Sequence, residues 1–333
     1  MKKNTVVPEI FSFRYHFCNR YSKCNYLLKY SLVPYLCILN NTTMIQRKIA
    51  YVKDSPSHRG FLGEGHLASA LVDGSNFKQS DPFILLMDDR LDLPGGEPVG
   101  GPHPHAGFET VTLVLQGDEK DWKTGSMELM TAGSGIIHTE EISSRTRLRI
   151  LQLWLVLPPG KRWTRPEWQL LPAESVPVLE NETLKLRLYS GSSHGLVSPL
   201  RNHTPFTLAE FSLNAAAEAE QELPASYNGF VYVTEGALHV GNREIKAGQT
   251  AWFDRPSAEE ETYIRFRAGA QGAHFVLYAG EPQNAAITAH GPFIGDSPED
   301  ISRLYRDYRQ GRMPHLNDLP ASQKTIYKAE SAA

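Results

Sequence analysis

After Met44 the chain advances in short apolar runs, each cut off by glycine, proline, asparagine or aspartate. DPFILLMDD, FETVTLVLQG, SMELMTAG, RLRILQLWLVLPP, TPFTLAEFSL, NGFVYVTEGALHVG, TAWFD and AHFVLYAGEP follow one another in this way. Runs of this length, rich in β-branched and aromatic residues and bounded by turn formers, are the strands of sandwiches and barrels. The fold class is therefore all-β. Residues 148–157, LRILQLWLVL, are apolar on both faces apart from Arg149 and Gln152, which places this strand between two layers or two domains.

A chain of 333 residues exceeds one ordinary core, and a faint internal repeat divides it. VTLVLQG (111–117) followed by KTGSMELM resembles FVYVTEG (230–236) followed by KAGQTAWF. Each is a strand ending at glycine, a hairpin, a K-x-G turn and another strand. Two β-domains follow, over 44–165 and 205–285, joined by a polar linker at 166–204. Residues 286–333 form a C-terminal helix and tail. The helix lies in GDSPEDISRLYRDYRQG: Asp296 or Ser297 caps it, Pro298 suits its first turn and Gly311 ends it. Its apolar stripe is Ile301, Leu304, Tyr305 and Tyr308, and its arginines make a solvated face.

With 41% hydrophobic and 21% charged residues and a net charge of −3, the chain carries no basic field for nucleic acid or an anionic membrane. No stretch approaches the ~20 unbroken apolar residues of a spanning helix. Cys18, Cys24 and Cys37 all lie in the first 43 residues, so no disulfide framework holds the body, which fits a cytoplasmic protein. That first segment is basic and rich in Tyr and Asn. Its apolar run SLVPYLCIL is a poor secretory signal, and residues 1–43 read as an unstructured or untranslated extension.

HPHAGFETVTLVLQG (103–117) sets His103 and His105 two apart. With 12 His in the chain, such a pair is close to a chance event and decides nothing alone. Strand alternation puts both on one side with Glu109, Val111, Leu113 and Leu115, a barrel interior with a polar end and an apolar end. GSGIIHTEE (133–141) brings His138 and Glu140, again two apart. Either residue alone is more often a hydrogen-bonded histidine or a surface acid. Together, the two segments converge three imidazoles and one or two carboxylates, a donor set for a divalent first-row metal without soft ligands. In the second repeat Glu222, Pro224 and Asn228 stand opposite His103, His105 and Glu109, so any metal belongs to the first domain.

HPHAGFETVTLVLQG and LMTAGSGIIHTE resemble the pirin family of the cupin superfamily, in which H-P-H-x-G-F-E-T-V precedes M-x-A-G-x-G-I-x-H-x-E. DPFILLMDD, LQLWLVLP and the ending GEPQNAAITAHGPFIGDSPEDISRLYRDYRQGR extend the resemblance over 44–315. It implies a bicupin, two β-barrels face to face, with Fe(II) held by His103, His105, His138 and Glu140. Glu109 then orients a ligand or water. GDEKDWKTG (117–125) is shorter than the hairpin of many pirins, which leaves the substrate least transferable. By the same resemblance the protein opens flavonols such as quercetin with dioxygen. Glu140, or a water held by Glu109, accepts the substrate proton in a dry cavity lined by Val111, Leu113, Met127, Leu129 and Ile136. The alternative is an iron-dependent redox-sensing regulator that binds a transcriptional or metabolic protein partner without turnover. Iron over other divalent metals rests on the resemblance, because affinity alone favours later metals.

Overall fold

The computed structural model describes residues 44–117, 122–256 and 261–329. The extension at 1–43 and hairpin residues 118–121 lie outside them. Two large β-sheets carry the chain. In the first the strands run Lys324–Ile326, Glu167–Leu171, Met127–Thr131, Phe108–Gln116, Thr146–Val156, Phe83–Leu93, His66–Val72 and His58–Arg59. The main path of the second is Val178–Glu180, Leu184–Ser190, Phe206–Leu213, Thr262–Gly280, Asn228–Val240, Gln249–Phe253 and Ile49–Asp54. The all-β expectation with a C-terminal helix holds.

The strand Thr146–Val156 shows how the layers form. Leu151, Leu153 and Leu155 point one way, into a core shared with Val111, Leu113, Met127 and Leu129. That core closes against Phe206, Phe230, Tyr232, Trp252 and Tyr278 of the second sheet, so the two sheets meet face to face. Leu148 and Ile150 point the other way, joining Leu91, Leu93 and Val114 inside the first domain. Both faces are covered, as the unbroken apolar run demanded. Each fully buried side chain of this size contributes roughly 1.5–3 kcal/mol. The interior of the second domain is filled instead, with Phe211, Phe266 and Phe275 packed among aliphatic residues and Phe211 stacked on Phe275.

The repeat is structural. Gly125 and Gly248 end the two K-x-G turns at positive φ, and their N–H groups donate to Val114 and Val233, each at 2.8 Å. The expected boundaries change, however. Residues 166–204 are not a linker: Glu167–Leu171 pairs with Met127–Thr131 in the first sheet, and Leu184–Ser190 pairs with Phe206–Leu213 in the second. The ends of the chain cross over. Ile49–Asp54, assigned by sequence to the first domain, pairs with Gln249–Phe253 of the second. Lys324–Ile326, assigned to a tail, lies parallel to Glu167–Leu171 in the first sheet. Local pattern identifies a strand but not a partner so distant in sequence, and covering an edge is what such a strand does.

Ser297 caps the helix Pro298–Arg309, its Oγ accepting the Asp300 N–H at 3.3 Å. Ile301 and Leu304 are buried with Ala106, Phe293 and Met313, whereas Tyr308 is 38% exposed, so the stripe ends at Tyr305. Through Ala106 the helix backs the strand that carries the histidine pair.

Candidate metal centre

Two short strands, His103–His105 and Ile136–His138, pair antiparallel with His103 opposite His138. The pairing brings His103, His105 and His138 together, one ring nitrogen from each lying within 4.8 Å of the others. Ring centroids are 4.3 Å apart for His103 and His138, 4.9 Å for His103 and His105, and 5.0 Å for His105 and His138. His103 donates from Nδ1 to the Gly101 carbonyl at 2.9 Å, which leaves a lone pair on Nε2. That nitrogen faces His138 Nε2 at 2.8 Å. Phe108, stacked on Trp154, closes the inner side, both rings 5.3 Å from His105.

Burial keeps His105 and His138 neutral. It pushes His105 down to about 3, helped by charge on His103 and opposed by the Pro292 carbonyl. It pushes His138 down to about 2, with His105, His103 and His315 acting in the same sense. Glu140 stands beside the trio rather than within it. Its Oε2 is 3.9 Å from His103 Nε2, and its Oε1 accepts from Gln152 Nε2 at 2.9 Å. Burial raises its carboxyl to about 7, against the Gln152 hydrogen bond and with added repulsion from Asp89.

Glu109 is elsewhere. Its Oε1 accepts from Thr131 Oγ1 at 2.8 Å and from the His203 N–H at 3.4 Å, on the side of the strand that faces the second domain. The alternation that joined it to the histidines is broken between them. Gly107 has φ +87°, and a Cβ there would lie 1.9 Å from the Ile294 carbonyl oxygen. Below it the buried Arg162 donates to the Gly107 carbonyl at 3.2 Å and to Asp296 at 2.6 Å. The chain therefore restarts its alternation at Phe108, and odd positions change sides.

The same reversal relocates the expected cavity lining. Val111, Leu113, Met127 and Leu129 belong to the core between the sheets, and Ile136 packs with Met130, Ala132 and Leu319. The cavity beside the histidines, about 450 Å³, is walled by Leu91, Val99, Ile142, Leu148 and Ile150, with Phe61, Leu62 and Trp122 at its outer part. His103, Glu140, Gln152, His66 and Asp89 supply its polar surface. Sequence reasoning missed His66, Asp89 and Gln152. Yet the even positions of 148–152, apolar then amide on the second covered face, carried the signal for Gln152.

The donor set fits a divalent cation. Three imidazoles converge, burial holds two of them neutral, and His105 Nδ1 is buried with no well-aligned hydrogen-bond partner among the described residues. Residues 44–333 contain no cysteine, so a thiolate site is excluded there. Among the described residues no other such group of metal-binding side chains occurs, and no helix is long and apolar enough to cross a membrane.

Comparison with known proteins agrees with this architecture. The family profile described as Pirin matches residues 66–155, and that described as Pirin C-terminal cupin domain matches 208–314. Pirin of Rattus norvegicus is 30% identical over 264 residues, covering 75% of this chain and 88% of that protein. The crystal structure of GK1651 from Geobacillus kaustophilus superposes with a TM-score of 0.66 at 34% identity, over 73% of this chain and 99% of that one. A structure of quercetin 2,3-dioxygenase from Acinetobacter baumannii gives 0.69 at 25% identity, over 80% of this chain and 98% of that one.

Proposed function

This chain belongs to the pirin family, a family of two cupin domains, and we propose that it is an Fe(II)-dependent dioxygenase that opens flavonols. The observation that carries the reading is the histidine trio, of which His103 lines an apolar cavity of about 450 Å³ together with Glu140, large enough for a small flat aromatic. Similarity to the Acinetobacter quercetin 2,3-dioxygenase supports the same substrate class.

His103, His105 and His138 would hold the cation, with Glu140 Oε2 available as a fourth donor. A cation bound there supplies Lewis acidity toward a substrate hydroxyl and redox capacity toward dioxygen. The chain's own groups do the rest. Leu91, Ile142, Leu148 and Ile150 clamp the rings and exclude water. Gln152 fixes Glu140 by its Oε1, so that Oε2 is presented to the cation or, when released from it, to the proton of the flavonol 3-hydroxyl. Both oxygen atoms enter the product, the two bonds flanking C3 break, and C3 leaves as carbon monoxide.

The test is oxygen consumption and carbon monoxide release with quercetin, on protein whose metal content has been measured. Turnover is expected in iron-loaded protein and a fall of at least ~100-fold in His105→Ala, together with lost metal. Iron-loaded protein that turns over no flavonol overturns the reading and leaves the redox-sensing regulator.

A further inference from the structure

The metal site accounts for one end of the cavity. At another part of its wall stands a second polar pair, His66 and Asp89, that the chemistry above does not use. The Leu62 N–H donates to His66 Nδ1 at 3.2 Å, so the proton of this ring is on Nε2. Nε2 donates in turn to Asp89 Oδ1 at 2.8 Å. The ring is fixed. His66 is buried, and a Cβ on Gly60 would lie 2.3 Å from its Nδ1, so the turn at Gly60 is shaped around it. Asp89 is thereby held by one oxygen. Its Oδ2 has no hydrogen-bond partner among the described residues, although the residue lines the cavity with its side chain 14% exposed. The walls around it are Leu91, Leu148, Ile150 and Phe61.

We propose that Asp89, positioned by His66, is the specificity-determining acceptor for a substrate hydroxyl other than the one presented to the metal. The cavity then selects polyhydroxylated aromatics over those that lack the further hydroxyls. A carboxylate oxygen in an apolar wall loses its water when a ligand closes over it. A ligand bearing an O–H restores the hydrogen bond, and one without leaves the charge unpaired. This rests on the aromatic-substrate reading of the same site, but it concerns binding rather than turnover.

The experiment compares quercetin with 3-hydroxyflavone, which keeps the 3-hydroxyl and 4-carbonyl and lacks the other hydroxyls. Dissociation constants are read anaerobically on metal-loaded full-length protein from quenching of tryptophan fluorescence, Trp122 lying in the cavity wall. Wild type is expected to prefer quercetin by roughly tenfold or more. Asp89→Asn retains an oxygen for His66 but turns a donor toward the ligand. It is expected to weaken quercetin about tenfold and to leave 3-hydroxyflavone within about twofold. A merely structural role weakens both ligands alike. An unchanged ratio, a parallel loss, or a wild type that binds neither compound overturns the proposal. Should Asp89→Asn not fold, His66→Gln, which keeps an N–H for Asp89, retains the preference, whereas His66→Leu loses it; the reverse sinks the idea. Oxygen consumption is scored separately. Protein that binds with this preference yet consumes no oxygen keeps the recognition role and loses the dioxygenase.

Discussion

Glu109 is fully buried, and burial raises its carboxyl from 4.5 to about 7 against the opposing pull of Thr131, the His203 N–H and Asn202. Its Oε2 has no well-aligned hydrogen-bond partner among the described residues. The sign follows from linkage. The unfolded chain releases this proton above pH 4.5, whereas the folded protein holds it to about 7, so stability is lost as pH rises across that window. The full shift corresponds to roughly 3 kcal/mol. Glu109→Gln keeps an acceptor for Thr131 and removes the titration. Its melting temperature relative to wild type is therefore expected to rise between pH 4.5 and pH 8, whatever constant offset the new amide brings. A flat difference across that range contradicts the assignment. Residue by residue, the sequence brought together the three histidines, because they sit on two short paired strands, and Glu140 stands just beyond the end of one of them. The sequence misjudged Glu109, because the spacing from His105 runs through a glycine that resets the count.

That glycine governs the element scale. Gly107 lets Phe108–Gln116 enter the core between the sheets with its odd positions, while His103–His105 keeps its own odd positions in the histidine trio. Gly107→Ala meets the Ile294 carbonyl and a positive φ together, so the backbone must shift. The shift moves the histidine strand relative to Ile136–His138. Metal stoichiometry is expected to fall well below that of wild type, with a destabilisation of several kcal/mol, while all four candidate ligands remain in the sequence. Metal analysis beside a melting curve decides it; unchanged metal content with unchanged stability would show that the turn tolerates a side chain. Alternation made the strands legible but not the face each one presents. Periodicity reports that a residue has an inside, whereas only a pairing partner says which inside. The helix was legible almost to the residue, because Ser297, Pro298 and Gly311 act locally.

Across the whole molecule the termini bind the two domains into one body. The strand nearest the N-terminus of the described chain extends the second sheet, and the strand nearest its C-terminus extends the first. Between the sheets, buried Asp88 accepts from Arg149 at 3.0 and 2.9 Å, from Arg90 at 2.8 Å and, across the domain boundary, from Tyr232 at 2.6 Å. Burial alone pushes the Asp88 carboxyl up, but Arg149, Arg90 and Tyr232 together hold it below the ordinary range. The two sheets meet through this broad shared core, not a thin seam. Multidomain chains usually unfold in steps. Here neither sheet can leave without uncovering the other's core and surrendering a borrowed edge. Calorimetry of metal-free protein is expected to give one transition with equal calorimetric and van't Hoff enthalpies. Removing residues 324–333 takes away the parallel edge strand and the Tyr327 contacts to Leu170 and Gln169. Although that strand lies wholly on the first sheet, the single transition is expected to move down by roughly 5–10 °C as one peak. A second peak, or a first domain that melts while the second stays folded, would mean that the crossed termini are ornament and the domains are independent.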